Sequence, residues 1–379
     1  LADALFPDTV ASPVRRFVFM SLPSASLPAP TAWLVRISSV FESLTPEIVG
    51  GLGATATTPL GNEYYLLKVA NFSRSKAPRA PFIRWNLPIH HSWPCCPQKT
   101  DSFIEKAAQA LFRKFAHFEL QSLLVGQLDP SSSNRYYKTL ASNLRGRVLQ
   151  LFPSSVGKTD AEAQDPERPT LFCLVGKEGL FCGLQSPRDS NGFFPGGTRY
   201  ISQSAPGTIS RAGAKIAEAL HYLRLYRPPL AKASHWLELG ASPGGMTSEL
   251  LKREQRVTAV DRAPLDDRLR GAVGLKFIRA DVGTFEPAQG AIFHAILSDM
   301  NGDAEESIEQ VIRLSAWLSR GGLVVFTLKT SDATQLEAVN DLFGNVVDHA
   351  ARSGLRLIAG THLTYNRQEF TLFLEKVAA

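Results

Sequence analysis

Lys215, Asp299, Lys329 and Glu369 are the side chains of this 379-residue chain whose types and positions could share one chemical task. Two amines and two carboxylates form a nearly neutral cluster in which one amine can act as a base. A weak oxygen nucleophile, such as a ribose hydroxyl, needs a base of this kind before it can accept a methyl group. An ammonium becomes a base near neutral pH only if its pKa falls, through desolvation or a neighbouring positive charge. Lys215 is expected to supply that charge to Lys329, while Asp299 and Glu369 orient the amines. Each residue alone has an ordinary alternative: Lys215 on a solvated helix face, Asp299 opening a loop, Glu369 in a surface ion pair with Arg367 or Lys376. Their coincidence at the ends of predicted elements selects them as a set.

Those elements read as an alternation of strands and helices. A helix over 211–226 carries Lys215 and leads into a strand, His235–Leu239, then a glycine turn and a helix to about Lys252. Strands follow at Val257–Val260, near Phe277–Ile278 and at Ala291–Leu297, then a helix at Glu305–Leu318 and a strand at Leu323–Leu328. A last strand runs from Glu369 to about Leu374. The pattern predicts an α/β fold, a Rossmann-like mostly parallel sheet with crossover helices. Asp299 ends the fourth strand and Lys329 the fifth. Strands of a parallel sheet are buried on both faces, so a lysine ending one should emerge into the crevice at the carboxyl edge.

That crevice has a second feature. Leu237-Glu238-Leu239-Gly240-Ala241-Ser242-Pro243-Gly244-Gly245 ends a strand and opens a helix, where glycines allow a sharp turn and the close approach of a ligand. Asp261, 21 positions after Gly240, is placed to accept from ribose hydroxyls, and Asp281 after the next strand from an adenine amine. A dinucleotide fingerprint would have glycine where Ser242 stands, so the turn favours a cofactor without pyrophosphate, such as S-adenosylmethionine. Glu238, Gly240, Ser242, Pro243, Gly244, Gly245, Asp261, Asp281 and Asp299 are the expected cofactor contacts. No metal site is expected: Cys95 and Cys96 are adjacent and lack the spacing that closes a tetrahedral site.

The N-terminal half is less explicit. Residues 1–32 read as leader and linker; Arg15-Arg16 before Phe17–Met20 resembles the opening of an export signal, but Pro23 and Pro28 break the apolar run. With four cysteines, no C-x-x-C pair and no apolar run of membrane length, a cytoplasmic protein without membrane association is expected. Strands are predicted at Trp33–Val40 and Tyr64–Val69, helices at Ser102–Phe118 and Leu140–Phe152, and a hairpin from TLFCLV through Gly176-Lys177-Glu178-Gly179 to LFCGL. Residues 186–209 read as an interdomain segment. Net charge is +6 and pI about 9.1, compatible with a polyanionic partner. Candidate RNA contacts are Arg74, Lys76, Arg79, Arg84 and Trp85, and a second group including Arg113, Lys114, Arg135, Tyr136, Tyr137 and Lys138. A solvated surface is the alternative for both groups.

The motifs together resemble the FtsJ-like RNA 2′-O-methyltransferases. Ser210-Arg211-Ala212-Gly213-Ala214-Lys215 is similar to that family's S-R-x-x-x-K segment, Gly240–Gly245 to its G-A-x-P-G-G turn, and Ser298-Asp299-Met300 to its x-D-M motif. Phe326-Thr327-Leu328-Lys329 and Arg367-Gln368-Glu369 complete a Lys-Asp-Lys-Glu tetrad. SRAGAKIAEALHYL and LTYNRQEFTLFLEK are most similar to the RlmM type. The resemblance implies methylation of a cytidine ribose in bacterial 23S ribosomal RNA or a precursor. It also implies a ferredoxin-like region, placed at 33–98, a THUMP-like RNA-binding region at 99–205 and a methyltransferase domain at 206–379. A non-catalytic RNA-binding or ribosome-assembly factor with a vestigial domain is the alternative.

Overall fold

The computed structural model describes residues 29–69, 81–94, 100–128, 135–158, 163–202, 207–330 and 335–377. Arg15-Arg16, Cys95-Cys96, Arg74, Lys76 and Arg79 lie outside them.

The first sheet is built from β1 (Ala32–Ile37), β2 (Ala54–Pro59), β3 (Tyr64–Val69) and β4 (Ile83–Ile89), with α1 (Thr45–Gly51) crossing between β1 and β2. Its order is β2-β3-β1-β4 with every pairing antiparallel. β1 is central and buried at every position, as a strand paired on both edges and covered on both faces must be. It stops at Ile37 rather than Val40, because Ser38 accepts from Val40 N–H at 3.4 Å and caps a 3-10 turn.

The second sheet contains β5 (His91–Trp93), β6 (Ser122–Gln127), β7 (Thr170–Gly176) and β8 (Gly179–Gln185), in the order β5-β8-β7-β6. Gly176 pairs with Gly179, leaving Lys177-Glu178 as a two-residue hairpin turn, as the sequence predicts. α2 (Thr100–Phe115) and α3 (Arg135–Leu151) lay Ala107, Leu111, Leu144 and Val148 on one face of this sheet, with a short α4 (Ser154–Lys158) beside them. Cys173 and Cys182 face each other across β7 and β8 as buried free thiols.

The third sheet holds β9 (His235–Leu239), β10 (Arg256–Asp261), β11 (Leu275–Arg279), β12 (Phe293–Ser298), β13 (Leu318–Lys329), β14 (Leu355–Thr361) and β15 (Glu369–Lys376). The order is β11-β10-β9-β12-β13-β15-β14; the first five are parallel, and β15 runs antiparallel to both of its neighbours. Between them lie α6 (Ala212–Leu223, ahead of β9), α7 (Gly245–Lys252), α8 (Ala304–Leu314) and α9 (Leu336–Arg352). The Rossmann-like α/β reading therefore holds. Sequence periodicity missed α9 and β14: α9 buries only Val339, Val346 and Ala350, a thin stripe, and β14 is an edge strand with a broken burial pattern.

Residues 186–209 are more than a connector. Ser186 caps α5 (Pro187–Ser190), accepting from Asp189 N–H at 3.1 Å, and Phe193 is buried beyond it. Its part up to Ile201 bridges the first and third sheets: Asn191 Nδ2 donates to Ile83 O and Arg84 O at 3.1 and 2.9 Å, and Ile201 O accepts from Tyr365 OH at 2.8 Å. Between the same two sheets is an aromatic cluster in which Phe370 stacks on Phe41 at 5.4 Å and meets Phe82 edge-on at 5.1 Å.

Candidate active site

Each of the four candidate side chains owes its place to a different element. Lys215 lies in the first turn of α6, which meets α7 through Gly213 and Gly245. A Cβ on Gly213 would come within 3.0 Å of Gly245 O, and one on Gly245 would run into Ser210 Oγ. Asp299 follows the last residue of β12 and donates its backbone N–H to Leu239 O at 3.3 Å, tying it to the end of β9. Lys329 ends β13 and Glu369 opens β15, and the antiparallel register sets them opposite each other.

The four converge. Lys215 Nζ donates to Asp299 Oδ1 and Oδ2 at 3.0 and 3.1 Å and reaches Glu369 Oε1 at 2.6 Å. Lys329 Nζ donates to Asp299 Oδ1 at 3.1 Å and to Glu369 Oε2 at 2.7 Å. Each carboxylate thus bridges both amines in a closed ring. Side-chain exposures of 15% for Lys215, 17% for Asp299, 21% for Lys329 and 8% for Glu369 leave the ring largely buried but still in reach of solvent. Lys215 is not on a solvated face, and Glu369 pairs with Lys215 and Lys329, whereas Lys376 spends its ammonium on Ser315 O and Leu318 O.

One expectation is corrected. Lys329 was expected to have a lowered pKa. Burial does pull it down, but Asp299 and Glu369 outweigh burial and hold the ammonium above the ordinary 10.5. Burial likewise pushes Glu369 up, and Lys215 and Lys329 outweigh it, holding the carboxyl below 4.5. Two carboxylates within hydrogen-bond reach count for more than one neighbouring amine, because opposite charge at contact favours the charged form.

Beside the ring opens a cavity of about 500 Å³, of a size suited to a small-molecule ligand. Glu238, Gly240, Ser242, Pro243, Gly245, Asp261, Asp281 and Asp299, all expected at the cofactor site, are on its wall. Gly244 is just behind, at φ +102°, a conformation that favours glycine. The Ser242 side chain turns to Pro264 O at 2.9 Å, and its backbone N–H donates to Asp261 Oδ2 at 2.9 Å. Asp261 therefore holds the glycine turn as well as facing the cavity. Asp281 accepts from Gly283 N–H at 2.7 Å and pairs with Arg262 at 3.3 Å. Glu238 is buried and accepts from Thr247 Oγ1 at 2.7 Å; burial, reinforced by the charge of Asp299, pushes it up to about 8.

Sequence reasoning missed the wall formed by Asn301, Asp303, Glu306 and Gln310, from the loop after β12 and the first two turns of α8. The signal was present: ligands in such folds lie beyond the carboxyl ends of several strands, and Asp299-Met300-Asn301 marks one. Glu238 apart, whose burial favours the protonated form at neutral pH, the lining carries Asp261, Asp281, Asp299, Asp303 and Glu306 against the cation Arg262. Such a wall repels pyrophosphate. It suits a ligand bearing positive charge and hydroxyls, so the residues present fit S-adenosylmethionine.

The C-terminal half of the chain is similar to known proteins. Residues 208–345 match the FtsJ-like methyltransferase family. The FtsJ-like segment contains Lys215, Asp299 and Lys329, with Glu369 beyond its end. Three similar curated relatives are each named ribosomal RNA large subunit methyltransferase M. The one from Shewanella halifaxensis is 29% identical over 56% of this chain and 60% of its own length. Those from Azotobacter vinelandii and Ectopseudomonas mendocina are each 28% identical, over 66% and 65% of this chain and 73% and 68% of theirs. The chain thus spans about 60% of the length of the first of them.

Proposed function

We propose that this chain methylates a ribose 2′-hydroxyl of RNA, with Lys329 as the base, and that the target is a cytidine of bacterial large-subunit ribosomal RNA. One observation carries the reading: Asp299 belongs both to the cavity wall and to the Lys-Asp-Lys-Glu ring, so methyl donor and base share a carboxylate. S-adenosylmethionine supplies an electrophilic methyl group on a positively charged sulfonium.

The protein's own groups do the rest. Asp261 and Asp281 accept from hydroxyls and an exocyclic amine, and Glu238 faces the cavity from the end of β9. Lys329 Nζ takes the 2′-hydroxyl proton as the oxygen attacks, which requires the amine to be neutral first. Lys215 competes with Lys329 for the same two carboxylates, and so weakens the hold that keeps Lys329 protonated. Glu369 and Asp299 hold both amines in the ring and accept hydrogen bonds from the ammonium that Lys329 becomes.

The N-terminal half is assigned to RNA. In this reading residues 33–98 are a ferredoxin-like region, except that β5 (His91–Trp93) pairs with β8 in the second sheet, and 99–205 are a THUMP-like region; the all-antiparallel β2-β3-β1-β4 order and the helices packed on the second sheet support it. Exposed Arg113 and Lys114 on α2, with Arg135 and Lys138 on α3, supply charge for phosphates. A cytoplasmic location follows from a ribosomal RNA substrate. None of the described helices is long and apolar enough to cross a membrane.

The test is methylation of ribosomal RNA with labelled S-adenosylmethionine, followed by nuclease digestion and mass spectrometry of the nucleosides. The expected product is 2′-O-methylcytidine, absent with Lys329→Ala. Methyl groups on a base or a peptide would overturn the substrate. Absence of both cofactor binding and product would leave the RNA-binding factor.

A further inference from the structure

Glu218 is a carboxylate that the transfer chemistry above does not use, yet it is fully buried on α6, one turn beyond Lys215. Its Oε1 accepts from Arg84 Nη2 at 2.9 Å, and its Oε2 accepts from the backbone N–H of Tyr365 at 3.2 Å. Arg84 belongs to β4 of the first sheet. Tyr365 lies between β14 and β15, four residues before Glu369. The helix and this segment are therefore tied twice, Lys215 to Glu369 at 2.6 Å and Glu218 to Tyr365. Two ties at different heights along one helix fix the segment's rotation as well as its distance.

The segment is held from the other side too. His362 donates its backbone N–H to Pro81 O at 3.2 Å, and Thr364 Oγ1 meets Thr198 Oγ1 at 3.0 Å. Tyr365 OH donates to Ile201 O at 2.8 Å and accepts from Ile201 N–H at 2.7 Å. Arg84 also donates to Asn191 O at 3.2 Å and to Gly197 O, so one guanidinium joins the first sheet, the 186–201 stretch and α6. Burying two charges is costlier than burying two apolar side chains of the same shape, so the ion pair is poorly explained by packing alone. What it provides is an oriented acceptor for Tyr365 N–H, which an apolar pair would lack.

We propose that Glu218 is a positioning residue: with Arg84 it holds the 361–369 segment so that Glu369 meets Lys215 and Lys329, making the ring depend on the docked N-terminal sheet. Its effect on rate rests on the methyltransferase reading above; its effect on the segment does not.

The full-length Glu218→Gln variant tests both. Turnover should fall at least tenfold while KM for RNA and cofactor affinity stay within twofold, and amide hydrogens of 361–369 should exchange faster than those of β9 and β12. The double variant Arg84→Met/Glu218→Leu keeps the buried volume without the acceptor. It should hold Tm near that of the wild type and remain slow, with the same fast-exchanging segment, whereas Arg84→Lys keeps most of the turnover. Unchanged exchange at 361–369 in Glu218→Gln overturns the proposal, as does wild-type turnover in the double variant. So does a uniform rise in exchange across the chain, which is the mark of a merely structural pair. If Glu218→Gln fails to fold, the double variant decides by the same readouts. If wild-type protein methylates no RNA, the proposed function falls, while the exchange contrast still decides this inference.

Discussion

Lys329 Nζ stands 2.7 Å from Glu369 Oε2 because the β13–β15 register pairs the two residues directly. A slip of one residue would turn Glu369 to the opposite face of the sheet and open the ring. The sheet register thus supplies one of the two carboxylates that, with Asp299, hold the proposed base as an ammonium.

Replacing that base should stop transfer without emptying the cavity. Lys329→Met is expected to lower single-turnover methylation by at least about 10²-fold, with calorimetric cofactor affinity within a few-fold of wild type. Lys329→Arg should be equally inactive, because a guanidinium keeps its proton at any accessible pH. Full turnover in either variant would remove Lys329 from the base role.

The raised pKa of Lys329 predicts a rising pH profile. Only the neutral amine accepts a proton, so the transfer rate should climb about tenfold per pH unit from neutral into alkaline solution. A flat profile between about pH 7 and 9 is incompatible with a lysine base held as an ammonium. Stability runs differently. The contribution of Lys329 is fully present below 10.5 and is lost as pH rises through its raised folded value. That of Glu369 is present above 4.5 and is lost as pH falls through its lowered folded value. The gap in urea midpoint between wild type and Lys329→Met should therefore stay constant across the neutral range.

Glu238 gives the opposite sign to Glu369. Its pKa of about 8 lies above the ordinary 4.5, so the folded state binds the extra proton between these values and stability falls as pH rises through that window. Glu238→Gln should gain on wild type from pH 5 to pH 8 by up to about 1.4 kcal/mol per unit, read from urea unfolding at several pH values. A pH-independent difference would place the Glu238 carboxyl in a far more polar setting than its burial indicates.

Gly245→Ala tests the α6–α7 contact that places Lys215. The new methyl would meet Ser210 Oγ and come within 3.2 Å of Gly213 N. The expected loss is about 1–3 kcal/mol of stability, with weaker methylation as α6 shifts. Gly146 in α3 is the control: a Cβ there meets nothing within 4 Å. Gly146→Ala should be neutral or stabilising by up to about 1 kcal/mol.

The sequence alone carried the elements that announce themselves by period and punctuation. β9 and β3 were legible to the residue, because continuous apolar runs end in sharp polar or glycine breaks. The glycine turn and its acids at Asp261 and Asp281 were legible because a ligand crevice constrains residue type at fixed spacing. So were Lys215, Asp299, Lys329 and Glu369 as a set, through their place at element ends and the family likeness of their motifs. The role of Glu218 was not legible: inside the apolar stripe of a helix a carboxylate looks like a lapse until Arg84, 134 residues away, is seen against it. The charge state of Lys329 was hidden for the same reason, since it depends on how many carboxylates touch the amine. Local pattern determined which residues could act and which strands would present them. Contact distances between elements far apart in the chain decided which charges pair and which segment each pair holds, because electrostatics in a partly buried site is governed by the last few ångströms of approach.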